Sequence, residues 1–556
     1  VRFFGAPFNS TTVRCIAVAG ALALSLLCSS QADAAGWRGP LDLSATGADA
    51  TEPALAVSEA GNAVVAWRSQ DGSGTVIKAS TRPAGSSFST PVSLSGVGPA
   101  IGLPQVALNA AGDAVAVWRN GFRIEVATRP AGSSSFSSPE SIPAPGPTTL
   151  EPQVAIDPAG EAVVAWLTIT GGTGTVETST RPAGESFTAP APLFPAHANV
   201  AEPRLAVTAA GEAIVVWRKD GVVEAATRPA GDAFSITPLS APGGNADHPR
   251  LAVNAAGSAI LVWKRNSGVP APVIEAVTRG PGDAFSAPAP ASAPDAGPGN
   301  PDVALNSAGN ATVAWTSARS VRTVVEVVSR PAGGSFSAAA TLTGEDRAAF
   351  EPQVALNALG AAAVVWQRQT GGTRLIEAAT RSPSGSFTAP VTLSAEGQSA
   401  DAPRIALDAA GEAIAVWSRS NGTNKIVQAA LYNASGPRPG NPASTNPPVT
   451  IKPTTATARV GRLVKLRGGK ALVSLSCPPS GSCQGTAKLT AKRGGRRLAL
   501  GKRSFQIAAG KKLTLAIKLS AGARLLIDST GRKGLVARLE GSGVQAAPVR
   551  LAGGSR

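Results

Sequence analysis

A tryptophan returns about every fifty residues. Trp67, Trp118, Trp166, Trp217, Trp263, Trp315, Trp366 and Trp417 are separated by 51, 48, 51, 46, 52, 51 and 51 residues. Each closes the same phrase, as in VALNAAGDAVAVW (106–118), VAIDPAGEAVVAW (154–166) and LAVTAAGEAIVVW (205–217). A period of this length rules out one ordinary core. It demands a repeat array, in which a unit too small to bury its own apolar surface stacks on its neighbours.

One unit divides into four short pieces. In the second they are PQVALN (104–109), DAVAVW (113–118), RIEVATR (123–129) and FSSPESI (136–142). The first three are rich in Val, Ile and Ala, and each is bounded by turn residues, so each reads as a strand. Asn-Ala-Ala-Gly (109–112) makes an Asx-type turn ending in a residue that tolerates positive φ. Pro-Ala-Gly (130–132) makes another. Four strands and three tight links form an antiparallel meander.

The two ends of the array are complementary. The last unit stops after KIVQAALY (425–432) and lacks its fourth strand. A matching piece stands at the other end, WRGPLDLS (37–44), comparable with FSTPVSLS (88–95) and FTAPVTLS (387–394). An open array would carry polar caps instead. The reading is an all-β chain in which residues 35–433 form an eight-bladed β-propeller, closed when the N-terminal strand completes the last blade.

The blade motif P-x-[VLI]-A-[VLI]-[ND]-x-x-G-x-A-x-x-x-W resembles, in general pattern and over about 400 residues, the NHL and sialidase-like (BNR) propeller superfamilies. The resemblance implies the fold and no activity. No unit carries the sialidase Asp-box, S-x-D-x-G-x-T-W. Sialidase chemistry would need a Tyr/Glu pair beside three arginines, and the chain has a single tyrosine, Tyr432.

Other chemistry is thinly supplied. His197 and His248 are the only histidines, which leaves no material for a His-based triad or metal site. Each Asx turn offers at most two carboxylates, as Asp157 with Glu161, where calcium wants six to eight oxygens. No cofactor is expected. One Trp per unit at fixed register reads as inter-blade packing. The third strands repeat Glu and Arg four apart, as Glu125/Arg129, Glu224/Arg228 and Glu377/Arg381. Both then lie on one strand face, which suggests ion pairs tying blade to blade.

The binding face follows from the meander. The links between strands two and three, and those between blades, share one face and carry most of the variation. Just before and within the innermost strand of each blade stand the polar residues of the channel mouth. The candidate ligand-binding set is Glu52, Glu151, Glu202, Arg204, His248, Arg250, Asp302 and Glu351. A funnel of mixed charge suits a hydroxyl-rich or peptide ligand.

The start and end of the chain add two further segments. Residues 1–34 read as a secretory signal, with Arg2 and Arg14, the apolar run CIAVAGALALSLLC (15–28) and cleavage after Ala34. Cys477 and Cys483 are then the remaining cysteines, and an even pair in an exported chain reads as one disulfide. After a Pro/Gly-rich linker (434–450), alternating strands such as RLVKLRG and KLTLAIKL suggest a small antiparallel Ig-like β-sandwich over 451–556.

Charge separates the two parts. From Asn446 onward there are 22 Lys and Arg against two acids, Asp528 and Glu540, a net of +20. The preceding residues hold the other 29 basic and 33 acidic side chains, a net of −4. A domain so basic should meet anionic cell-wall polymer or a membrane surface. Phe505 is its only aromatic residue, which disfavours single-stranded nucleic acid.

Together these features describe a secreted, monomeric, non-enzymatic binding protein, associated with the cell wall through its basic domain, whose propeller takes a glycan or protein ligand. The alternatives are a sialidase-like glycoside hydrolase and a structural envelope scaffold.

Overall fold

The computed structural model describes residues 36–434 and 459–551, apart from loop segments of one to five residues. The expected signal segment and the expected linker beyond Ala434 lie outside the described residues. Contacts divide the chain into two compact units, Val1–Arg438 and Pro439–Arg556.

The first unit contains eight four-stranded antiparallel sheets. Seven take their strands in chain order, as Thr148–Ile156, Ala162–Thr170, Thr173–Arg181 and Ala191–Pro192. The sheet holding Trp417 draws Ala400–Leu407, Ala413–Ser420 and Lys425–Asn433 from the end of the unit and Gly36–Asp42 from its beginning, with Trp37 opposite Tyr432. Local chemistry sets each first hairpin. Asn109 Oδ1 accepts the N–H groups of Gly112 (3.0 Å) and Asp113 (2.9 Å), and Gly112 takes φ 96°.

The apolar cores lie between sheets. Trp217 packs with Ala165, Leu167 and Val176 of the sheet before it. Trp67, in the first sheet, packs with Ile414, Val416 and Val427 of the last. The order of packing therefore returns to its start. All eight tryptophans are buried. Each removes roughly 150–250 Å² from water, a gross gain of about 4–6 kcal/mol.

The third-strand Glu and Arg, expected to form ion pairs tying blade to blade, take different partners. Strand register places Glu125 directly across from Trp118. The indole Nε1–H donates to its carboxylate at 2.9 Å, and Trp217–Glu224, Trp263–Glu275 and Trp366–Glu377 repeat the bond. The arginines instead reach the preceding sheet. Arg228 bonds Glu161 (3.1 Å) and Arg279 bonds Glu212 (2.5 Å), both acids of first-hairpin turns. Each of these guanidinium groups also lies over a fourth-strand ring, Phe234 or Phe285, at 5.3 Å. Ties between sheets exist, but their acidic partner is a turn residue.

The second unit is one sheet of seven strands. Their order is Arg496–Ile507, Cys483–Arg493, Leu535–Ser542, Ala547–Leu551, Arg459–Arg467, Lys470–Ser476 and Lys512–Lys518. Only the pairing of Arg459–Arg467 with Ala547–Leu551 is parallel. The sheet curls around a single core that includes Leu475, Leu489, Ile517 and Leu539. Its two edge strands come together at Gly501, where a Cβ would stand 2.4 Å from the carbonyl oxygen of Lys518, so only glycine fits. Cys477 and Cys483 form a disulfide. A helix that the alternating pattern did not foretell, Ala521–Asp528, starts at Ser520, whose Oγ accepts the N–H of Ala523. Among the described residues no helix is long and apolar enough to cross a membrane.

Candidate functional site

The first strand of seven sheets in the first unit carries an X-Pro pair, and in the eighth the pair stands just before the strand. Proline lacks an N–H and cannot serve the hydrogen-bond ladder. In seven sheets the ladder skips at this point, as between Thr51 and Ala54, or Ala201 and Arg204. Two residues then oppose one, a β-bulge that re-aims the side chains after it. The residue before the proline takes the left-handed conformation in all seven: Glu52, Leu103, Glu151, Glu202, His248, Glu351 and Ala402 have φ of 49–60°. None is glycine, and a residue ahead of proline ordinarily stays extended. Each such residue costs about 1–3 kcal/mol, and backbone strain of this kind gathers at functional sites. The exception is Asn300-Pro301, which precedes the short strand Asp302–Leu305.

The bulges converge on a cavity of about 610 Å³. Every sheet of the first unit except the Trp67 sheet contributes to its wall. Six of the eight candidates line it: Glu151, Glu202, Arg204, Arg250, Asp302 and Glu351. Glu52 and His248 are not part of the lining. Glu52 accepts the N–H of Leu103 at 2.8 Å, supporting the strained residue of the next sheet. Glu202 does the same for His248 at 2.8 Å. The His248 ring lies between two acids, Nδ1 at 3.1 Å from Asp247 and Nε2 at 3.5 Å from Glu202. Arg404 belongs with the candidates, as do the amides of Gln105, Gln153, Asn300 and Gln353. The signal for them was present: each follows or precedes the same proline as the residues that were chosen.

Three guanidinium groups and four carboxylates face this cavity. Each arginine donates from Nη1 to the carbonyl of the proline before it, at 2.7 Å (Arg204), 3.0 Å (Arg250) and 2.8 Å (Arg404). That bond fixes the root of the guanidinium and leaves its remaining donors for other partners. Arg204 lies 3.7 Å from Glu151 and Arg250 lies 4.0 Å from Asp302. Asp302 also accepts the N–H of Val354 at 2.8 Å. The Glu351 carboxylate takes a hydrogen bond from Gln367.

The wall perturbs these groups because protein surrounds them while the cavity keeps them wetted; the Arg204 side chain retains 24 % of its exposure. Burial, reinforced by the nearby Arg250, brings Arg204 down to about 10. Burial likewise lowers Arg404. Burial raises Glu151 above the usual carboxylate range, with Arg204 opposing the rise and Glu202 adding to it. Asp302 is raised by burial against the pull of Arg250. Such a wall can bind both signs of charge and sugar hydroxyls through its amides. Among the described residues no group of three His, Cys, Asp or Glu could hold a metal ion. Tyr432 lies elsewhere, with its ring centroid 5.3 Å from that of Trp37.

No family model matches the chain, and no curated protein matches it. Solved structures do resemble it distantly. A polysaccharide lyase described as an ulvan lyase covers 72% of this chain and 97% of its own at 10% identity, TM-score 0.41. The NanB sialidase from Streptococcus pneumoniae covers 60% of this chain and 68% of its own at 12% identity, TM-score 0.36. A protein of unknown function from Dyadobacter fermentans covers 72% of this chain and 99% of its own at 12% identity, TM-score 0.37. The sialidase and the lyase have β-propeller folds.

Proposed function

We propose that the eight four-stranded sheets are the blades of one β-propeller closed by the strand Gly36–Asp42, and that this propeller is a secreted, non-enzymatic binding module. Its ligand is a glycan or a protein segment held at the cavity of Arg204, Arg250 and Arg404. The curled sheet of the second unit, read as a small β-sandwich, holds the protein to anionic polymers of the cell envelope. The observation that carries this reading is the convergence of strained X-Pro bulges from different repeats on one polar wall. The test is a polysaccharide and peptide array probed with the full chain and with R204A/R250A/R404A. Selective, salt-resistant binding that the triple variant loses supports the reading. Equal binding by both proteins overturns it.

One observation favours a second reading, a glycan-cleaving enzyme. Glu151 is a carboxyl held toward its neutral form next to Glu202 and a cluster of arginines, the pairing that general-acid chemistry uses. Against sialidase chemistry stands the position of Tyr432, outside this cavity. New reducing or unsaturated ends released from polysaccharides by the wild type, and lost in E151Q, would decide for the enzyme.

A further inference from the structure

The second unit holds five basic–basic pairs directly across its ladders: Lys488 with Lys502, Lys492 with Arg497, Arg493 with Arg496, Lys470 with Lys518, and Arg467 with Lys470. Like charges directly opposite one another destabilise a sheet. Of the two acids among 22 basic residues, Glu540 stands opposite Lys488 on that strand's other flank, which leaves most of these bases unneutralised. These pairs are invisible in the sequence, because register alone brings residues 488 and 502, or 470 and 518, together.

Curling of the sheet assembles two of the pairs into one band. Lys470 and Lys518 belong to one edge of the sheet, Lys502 and Lys488 to the other. The close approach of Gly501 to the Lys518 carbonyl joins those edges. All four lysines are exposed, while their strand neighbours Ala471, Ile517, Ala487 and Leu489 are buried in the core. The band thus runs across strands on the outside of the sheet, one ammonium per strand, at about 4.8 Å between hydrogen-bonded strands. Hydroxyl pairs flank it: Thr486 and Ser504, whose oxygens are 3.1 Å apart, and Ser474 opposite Thr514.

We infer that this band, Lys470–Lys518–Lys502–Lys488, is a binding site for a single chain of acidic polysaccharide. It rests on the reading of the second unit as the polyanion-binding part. Point charges on successive strands fit a polymer carrying one carboxylate per sugar, and the flanking hydroxyls can pair with sugar hydroxyls. A curved band on the outside of a sheet fits a linear chain better than a flat membrane. Phe505, the one aromatic residue, is buried in the core, so there is no platform for stacked bases.

Full-length protein, titrated with polygalacturonate at low salt, tests the site. K488Q/K502Q should weaken binding roughly tenfold, since each exposed contact contributes up to about 1 kcal/mol. K511Q/K512Q, which removes the same charge outside the band, should weaken it far less. Matching thermal melts show that both variants are folded. Equal losses in the two variants would reduce the effect to net charge and overturn the proposal. So would absent polygalacturonate binding, or a preference for anionic phospholipid vesicles. Binding of poly(glycerol phosphate) undiminished by K488Q/K502Q would overturn this site and leave the broader polyanion reading standing.

Discussion

The two units use charge in opposite ways. In the first, acids and bases nearly balance, and third-strand arginines are structural ties. Arg279 is 4 % exposed, bonded to Glu212 of the preceding sheet and stacked on Phe285. In the second, bases outnumber acids 22 to 2, and four exposed lysines stand in two opposed pairs. A charge that is paired and buried belongs to stability. A charge that repels its neighbour on an exposed face weakens the fold slightly and is useful only to a partner. Removing charge should therefore damage the first unit and spare the second.

Several substitutions can break or sharpen this contrast. The apolar reference is W217A, which empties a buried site between two sheets. It should cost about 3–5 kcal/mol and shift one calorimetric transition while leaving that of the second unit in place. Next is R279A, which strands Glu212 without its partner. A loss of about 2–3 kcal/mol is expected, set below the fully buried case because Glu212 is partly exposed. If R279A costs no more than K488Q/K502Q in chemical denaturation, the contrast fails.

Two smaller effects probe single groups in the first unit. Lys78 stands opposite Trp67, where six sheets have glutamate and the Trp417 sheet has Gln428, and among the described residues the buried indole N–H of Trp67 has no partner. K78E should supply the acceptor and add about 1 kcal/mol of stability. An unchanged or lowered melting temperature would show that the indole bond contributes nothing. The smallest effect concerns Glu151. Its folded-state pKa is raised above 4.5, so its contribution to stability is fully present below about pH 4.5 and is lost as pH rises through the higher folded value. E151Q should therefore be more stable than the wild type at pH 7, and the gain should vanish near pH 4. A gain that persists at pH 4 would assign it to something other than this carboxyl.

Much of the first unit was legible in the sequence because its repeats are local. Trp spacing, Asx turns and alternating apolar residues each specify a hairpin within about twenty residues. All eight candidate residues are picked out by their offset from the repeated proline, and six of them line the cavity. The failures arose where a contact crosses strands. Four-residue spacing put Glu125 and Arg129 on one strand face as partners for the neighbouring blade, but the ladder puts Glu125 opposite Trp118 of its own sheet. Glu52 and His248 share the offset of the lining residues, yet Glu52 supports the backbone of the neighbouring sheet and His248 sits between two acids. The helix Ala521–Asp528 escaped because it is short and lies among alternating strands; Ser520 as a cap was its one cue.

The sequence by itself determined the repeat unit, the number of its copies, the complementarity of its two ends and the segregation of positive charge, because all of these are properties of neighbours along the chain. Tertiary structure decided which charges oppose which. Six of the seven strands that meet at one wall carry a left-handed residue ahead of proline, and the curl of a seven-stranded sheet brings lysines 14–48 residues apart into one band. Register and closure set those meetings, and neither is written at any single position.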